Sequence, residues 1–268
     1  MTNTESTSRT LDVDGARLHY RVRGQGPVVV FIGNPMGADG FGPIGSLFAD
    51  DHTVVTYDPR GIGRSTRDTD EDSTPEVLAD DVSRVIAAVA DEPVALFGSS
   101  GGAVTGLALV TRHPGLVRTL VAHEPPLIGF LPEDDPARPG MDEVLALALT
   151  DGPAAAMARF FAIAGFQAGP AQLGPPPTPE SLAKDDYFLR HMAGPTVHSA
   201  PDVDVLRASP TRIVIGVGAA SRGQLAHRAA TAFASRLGAP TVAFPGDHVG
   251  FVFEAEPFAK ALREELSR

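Results

Sequence analysis

Residues 93–113, PVALFGSSGGAVTGLALVTRH, decide how this chain folds. Val94-Ala95-Leu96-Phe97 is a continuous apolar run of strand length, and from Ala103 a helix-compatible apolar pattern reaches Val110. Between them, Gly98-Ser99-Ser100-Gly101-Gly102 fits G-x-S-x-G, a sharp strand-to-helix turn that lifts one serine hydroxyl clear of a sheet. The flanking glycines belong there because the turn strains the serine backbone and leaves no room for side chains on either side. Ser100 is the expected nucleophile; the alternative use of such a serine is to cap the helix in a glycine-rich turn.

Outward from that turn, apolar runs recur with loops of backbone-permissive residues after them. On the N-terminal side, Arg17–Arg23 alternates as an early strand. Val28–Ile32 stops in Gly33-Asn34-Pro35-Met36-Gly37, and Val54–Tyr57 stops in Asp58-Pro59-Arg60-Gly61-Ile62-Gly63-Arg64-Ser65. Residues 74–90 read as an amphipathic helix, with Thr74 as cap and Pro75 at its first position. On the C-terminal side, Val117–His123 is a strand leading into Glu124-Pro125-Pro126. Strand patterns return at Arg212–Val217 and Thr241–Phe244, with helices expected over 224–237 and 257–266. Strands alternating with helices predict a mostly parallel sheet covered on both faces, with ligands bound where the strands' carboxyl ends meet the loops. Between about 127 and 210 no buried strand is expected. Helices near 141–150, 153–166 and 181–193 are separated by Gly169-Pro170 and Gly174-Pro175-Pro176-Pro177, so this stretch reads as a helical cap over the sheet.

With 268 residues, 43 % of them apolar, the chain can bury one large core. A formal charge of −11 opposes binding to nucleic-acid phosphates or anionic membranes, so a small neutral ligand is the expected partner. Cysteine is absent, which removes thiolate chemistry and cysteine-held metals; no metal or cofactor is expected. The polar N-terminus lacks the apolar core of a signal peptide and no stretch is long enough to span a bilayer, so a cytoplasmic protein is expected. Oligomeric state is left open, a homodimer being allowed.

A serine hydroxyl needs a base to take its proton and a third group to orient that base. Among eight histidines, His248 stands in a loop just beyond the last strand, where it can reach over the sheet. The usual place for the acid, after the strand following the insertion, has none: no Asp or Glu occurs from 211 to 246. Glu124, at the end of the strand after the turn's own helix, is the first candidate, with Asp58 in reserve. Asp247, adjacent to His248, is poorly placed to accept its ring N–H. Two N–H donors are needed for the oxyanion: Gly101 supplies one; for the second, register decides whether Asn34, Pro35, which has no N–H, or Met36 faces the substrate, and Asn34 is favoured because its side-chain amide could also donate.

The order Ser100, Glu124, His248 and the sheet pattern resemble the α/β-hydrolase fold superfamily over nearly the full length, as does Asp58-x-Arg60-Gly61-x-Gly63-x-Ser65. The resemblance implies a core of 1–126 and 211–268, with a helical cap of 127–210 inserted after the sixth strand. Gly33-Asn34-Pro35 is similar to a loop of haloalkane dehalogenases, but those carry an aspartate nucleophile where Ser100 stands, so that activity is not expected. His123-Glu124-x-Pro126, Val217-Gly218-Ala219-Ala220, Pro245-Gly246-x-His248 and Phe258-Ala259-Lys260 resemble serine lactonases of the zearalenone-hydrolase type, which have a Ser-Glu-His triad. That likeness favours Glu124 over Asp58; it departs at Asn34-Pro35 and in the insertion.

The expected function is therefore a cofactor-free serine hydrolase acting on a carboxylic ester or lactone. Met36, Phe160, Phe161, Tyr187, Phe188 and Met192, with Phe166, would line a pocket for a moderately hydrophobic substrate. The alternatives are thioesterase, acyltransferase or carbon–carbon hydrolase variants, or a binding protein that turns over slowly or not at all.

Overall fold

Alternation along the strands layers the molecule. The computed structural model describes residues 6–165 and 178–268; Phe166 and the two proline-glycine clusters lie outside them. Eight strands form one sheet in the order β1-β2-β4-β3-β5-β6-β7-β8. These are β1 (Thr7–Val13), β2 (Ala16–Arg23), β3 (Val28–Ile32), β4 (Thr53–Tyr57), β5 (Val94–Ser99), β6 (Val117–His123), β7 (Arg212–Gly218) and β8 (Thr241–Phe244). From β4 to β8 in that order every pairing is parallel, while β1 and β2 join antiparallel at one edge.

Successive side chains point to opposite faces of a strand. Val30, Ile32 and Leu96 accordingly join one apolar layer, beneath Val82 of α2 (Pro75–Ala87), Leu107 of α3 (Gly101–Arg112) and Phe233 of α9 (Leu225–Leu237). Val29, Phe31 and Phe97 join the other, with Phe48 of α1 (Gly42–Phe48), Phe251 of α10 (Gly250–Phe253) and Phe258 of α11 (Ala255–Leu266). Phe31, Phe97, Phe251 and Phe258 are fully buried, each worth about 1.5–3 kcal/mol relative to exposure. That layer anchors the ends of β3 and β5 from which the site is built.

Strand β1 departs from the sequence-based expectation, which began the sheet at Arg17. It pairs with β2 along its whole length, from Thr7 opposite Val22 to Val13 opposite Ala16. Most of its residues are exposed, so no hydrophobic pattern marks it. The signal that could have found it is Asp14-Gly15, a two-residue hairpin turn with Gly15 at φ 71°.

Between β6 and β7 the described residues form helices and no strand. They are α4 (Ala137–Thr150), α5 (Pro153–Ala164), α6 (Pro179–Phe188), α7 (Gly194–Val197) and α8 (Val203–Ala208), the last two unforeseen. A π-helical turn, Leu189–Ala193, runs from α6 into α7. The other helices of this stretch keep close to the expected bounds, as do α2, α3, α9 and α11, whereas α1 and α10 were not expected. Thr74 caps α2 as expected, its hydroxyl accepting the Val77 N–H at 3.4 Å. No helix among the described residues is long and apolar enough to cross a membrane.

Candidate active site

Ser100 stands between β5 and α3 with φ 56° and ψ −124°, a conformation that L residues rarely adopt. The glycines around it are forced by contact. A Cβ on Gly98 would lie 2.6 Å from the Gly102 carbonyl oxygen, and one on Gly102 would lie 2.3 Å from that of Ile32. Larger residues would push α3 off the sheet. The Ser100 N–H donates to the His123 carbonyl at 2.9 Å, tying the turn to the end of β6.

The next residue after His123 is the other unusual one. Among the described residues, Ser100 and Glu124 are the non-glycine residues with positive φ, Glu124 at 49°. Backbone strain of this kind, of order 1–3 kcal/mol each, persists only where surrounding structure imposes it and concentrates at functional sites. The Glu124 side chain is fully buried and each of its oxygens is used. Oε2 lies 2.6 Å from His248 Nδ1. Oε1 accepts the Gly218 N–H at 2.9 Å and the Ser221 hydroxyl. The loop after β7, which has no acid of its own, thus supplies donors to the acid at the end of β6. Burial is the largest influence on the Glu124 carboxyl and opposes ionisation. The His248 hydrogen bond, the charges of His123 and His248 and the Ser221 hydrogen bond together outweigh it, holding the group at about 2.

Asp58 serves a different end. Its Oδ1 accepts the Ala38 N–H at 2.7 Å, and its Oδ2 accepts the Arg64 N–H and meets His19 Nδ1, both at 3.0 Å. It ties together the loops after β3 and β4. Asp247 accepts the Val249 N–H at 3.0 Å and so shapes the turn that carries His248.

Ser100, Gly101, Asn34, Met36, Phe160, Phe161, Phe188 and His248 all border one cavity of about 400 Å³ between the strand ends and the helices of the 127–210 segment. Tyr187 and Met192 do not, which corrects the sequence-based pocket. Tyr187, next to Phe188 on α6, points about 100° round the helix from it; its hydroxyl meets Ser73 at 2.7 Å and its ring lies under Arg67. Met192 would share the Phe188 face at i+4 in a regular helix. Instead it lies in the π-helical turn, fully buried in the apolar cluster that Phe188 shares with residues of α4. Met157 and Thr196 border the cavity without having been expected. Met157 was detectable, since it stands three residues before Phe160 on α5.

His123 is fully buried, its ring between Phe97, Phe244 and Phe258, and among the described residues neither of its nitrogens has a hydrogen-bond partner. Burial pushes its pKa from 6.5 down to about 4, with Glu124 partly offsetting and His248 adding to the shift. Between those two values the unfolded chain binds a proton that the folded chain refuses, so stability falls as pH drops from 6.5 towards 4. Glu124 acts in a lower window: its contribution is complete above the ordinary 4.5 and is lost as pH falls towards 2. A His123→Phe variant is expected to lose roughly 3 kcal/mol less stability than wild type between pH 7 and pH 4. Urea midpoints at the two pH values check this, and parallel losses in both proteins would contradict it.

Among the described residues no group of three or more His, Asp or Glu is placed to hold a metal ion.

Comparison with known proteins gives a consistent picture. The model of the alpha/beta hydrolase fold family matches residues 26–163. The uncharacterized hydrolase YraK of Bacillus subtilis (strain 168) is 32 % identical across 97 % of this chain and 96 % of its own length. The serine hydrolase BPHL of Homo sapiens is 33 % identical over 125 residues, spanning 44 % of this chain and 43 % of that protein. Among solved structures, the esterase EaEST from Exiguobacterium antarcticum superposes with a TM-score of 0.77 at 18 % identity, covering 98 % of this chain and 100 % of that one.

Proposed function

This chain belongs to the alpha/beta hydrolase fold family, and from that premise we propose that it is a serine hydrolase cleaving a carboxylic ester or lactone through an acyl-enzyme on Ser100. The observation that carries the reading is the fully buried Glu124 carboxylate, held by three donors, one of them His248 at 2.6 Å on the wall of the cavity that Ser100 also borders. A buried anion on Nδ1 fixes the imidazole as the Nδ1–H tautomer and leaves Nε2 as the base.

In the proposed reaction, Ser100 Oγ attacks the carbonyl carbon while His248 takes its proton. The backbone N–H groups of Gly101 and Asn34 receive the developing oxyanion, and the leaving alkoxide departs with the proton from His248. Water, deprotonated by His248, then attacks the acyl carbon; collapse of the second tetrahedral intermediate frees Ser100, reprotonated by His248, and the carboxylic acid. Glu124 stays ionised throughout and stabilises the imidazolium. Lactones would follow the same route, the alcohol remaining attached to the acid. A cavity of about 400 Å³ with Met36, Phe160, Phe161 and Phe188 on its walls suits a small, moderately hydrophobic acyl group. The helices between β6 and β7 act in this reading as the cap that shapes substrate choice.

The reading is tested with a fluorophosphonate probe and a chromogenic acyl ester. The expected result is one label per chain and a burst of product equal to the enzyme concentration. Absence of both would reject the hydrolase and leave a ligand-binding member of the family.

A further inference from the structure

Each lysine and arginine of the 127–210 segment is engaged away from the active-site cavity. Arg138 donates to the carbonyls of Gly129, Leu131 and Pro132. Arg159 pairs with Glu143, Lys184 with Glu180, Arg190 with Asp186 and Arg207 with Asp204. None of the five borders the cavity. Of the described residues that do, none is Asp, Glu, Lys or Arg, and His248, already used as the base, is the ionisable one. Residues 166–177, outside the described residues, contain no lysine, arginine or histidine to add a cation.

Two effects then act against a carboxylate in this cavity. The first is desolvation. The walls include Met141, Met157, Phe160, Phe188 and Phe251, and the Asn34 amide among them already donates its Nδ2 hydrogen to Thr196 at 3.2 Å. An anion brought between such groups gives up its hydration with no cation to replace it. The second is like charge. Glu124 is a fully buried anion 2.6 Å from His248 Nδ1, and in a medium of low dielectric its field is weakly screened. His248 gains a compensating charge only on taking the Ser100 proton, and that charge is matched at once by the oxyanion on the reacting carbonyl.

We propose that the site takes uncharged acyl groups only, so that a short diester is cleaved once and leaves as its half-ester. In that step one ester C–O bond breaks. Water supplies the hydrogen that leaves on the alcohol and the oxygen that stays on the acyl carbon, and the acid formed loses its proton to bulk water. The charge so created bars the half-ester from returning by its second carbonyl. The proposal rests on the serine-hydrolase reading and names its substrate class.

The test measures methanol release from dimethyl succinate, monomethyl succinate and methyl succinamate, alongside fluorophosphonate labelling. Succinate is short enough to keep its far carboxyl near the scissile carbonyl, and methyl succinamate has the shape of the half-ester without its charge. At pH 7.5 dimethyl succinate is expected to release one methanol and stop, with kcat/KM for monomethyl succinate lower by about a hundredfold or more and methyl succinamate between the two. A carboxyl that titrates at about 4.3 is neutral in a fraction that grows about tenfold per pH unit on acidification, so the rate on monomethyl succinate relative to methyl succinamate should rise at least about fivefold from pH 7.5 to 5.5. Monomethyl succinate cleaved as fast as methyl succinamate at pH 7.5, or a ratio of the two that does not move with pH, would overturn the proposal. So would an enzyme that labels with the probe yet leaves dimethyl succinate intact. In each of those cases labelling of Ser100 leaves the hydrolase standing; absence of both labelling and turnover removes the hydrolase reading and this inference with it.

Discussion

Replacing Ser100 with alanine is expected to lower kcat on an ester by about six orders of magnitude, the loss seen when the nucleophile of a serine triad is removed. Such a loss is expected because cysteine is absent from the chain, the Glu124 oxygens are engaged by His248, Gly218 and Ser221, and the other hydroxyls bordering the cavity, Ser99 and Thr196, do not stand at the strained strand-to-helix turn that holds Ser100. The substitution leaves a non-glycine residue at the strained turn and removes one oxygen, so folding should change little; a urea midpoint beside the kinetics verifies that. Activity within about a hundredfold of wild type in a folded Ser100→Ala protein would mean that the chemistry runs elsewhere.

Glu124→Gln is the second large effect, expected at about 10⁴ in kcat with KM little changed. Glutamine has the same shape, and its oxygen can still accept the Gly218 N–H and the Ser221 hydroxyl. What it cannot do is hold Nδ1–H of His248 with a negative charge, so the imidazole is free to adopt the wrong tautomer and its protonated form loses its stabilisation. Asp58→Asn is the matched control. Asp58 holds the Ala38 and Arg64 N–H groups and His19, so its loss should lower stability and leave kcat near wild type in the folded fraction. Steady-state kinetics and urea melts on both variants separate the roles. The reverse pattern, with Asp58→Asn inactive and Glu124→Gln active, would reject the assignment of Glu124.

These two substitutions also mark how far the sequence could be read. The turn at Ser100 was legible because its signal is local: an apolar run, glycines at fixed offsets and a helix pattern all fall within twenty residues. Glu124 was legible through an absence, the lack of any acid from 211 to 246. The donors that hold it were not, since Gly218 and Ser221 stand 94 and 97 residues away, and the Val217-Gly218-Ala219-Ala220 stretch, though singled out by its likeness, carries no sign of which groups donate to Glu124. Tyr187 and Met192 escaped for a different reason. Whether a helical residue faces a cavity depends on its angular register against the rest of the fold, which composition does not reveal: Tyr187 turns towards Ser73 and Arg67, and Met192 into the cluster around α4. Strand β1 escaped because an exposed edge strand carries no buried face to write into its sequence.

The most direct measurement is mass spectrometry of peptides from enzyme quenched with acid during turnover of a slowly deacylated ester. The account predicts an acyl group on the peptide containing Ser100, appearing within the burst, disappearing as substrate is exhausted, and far slower to form in Glu124→Gln. An acyl group on another residue, or steady ester turnover with no covalent adduct at any time, would contradict it.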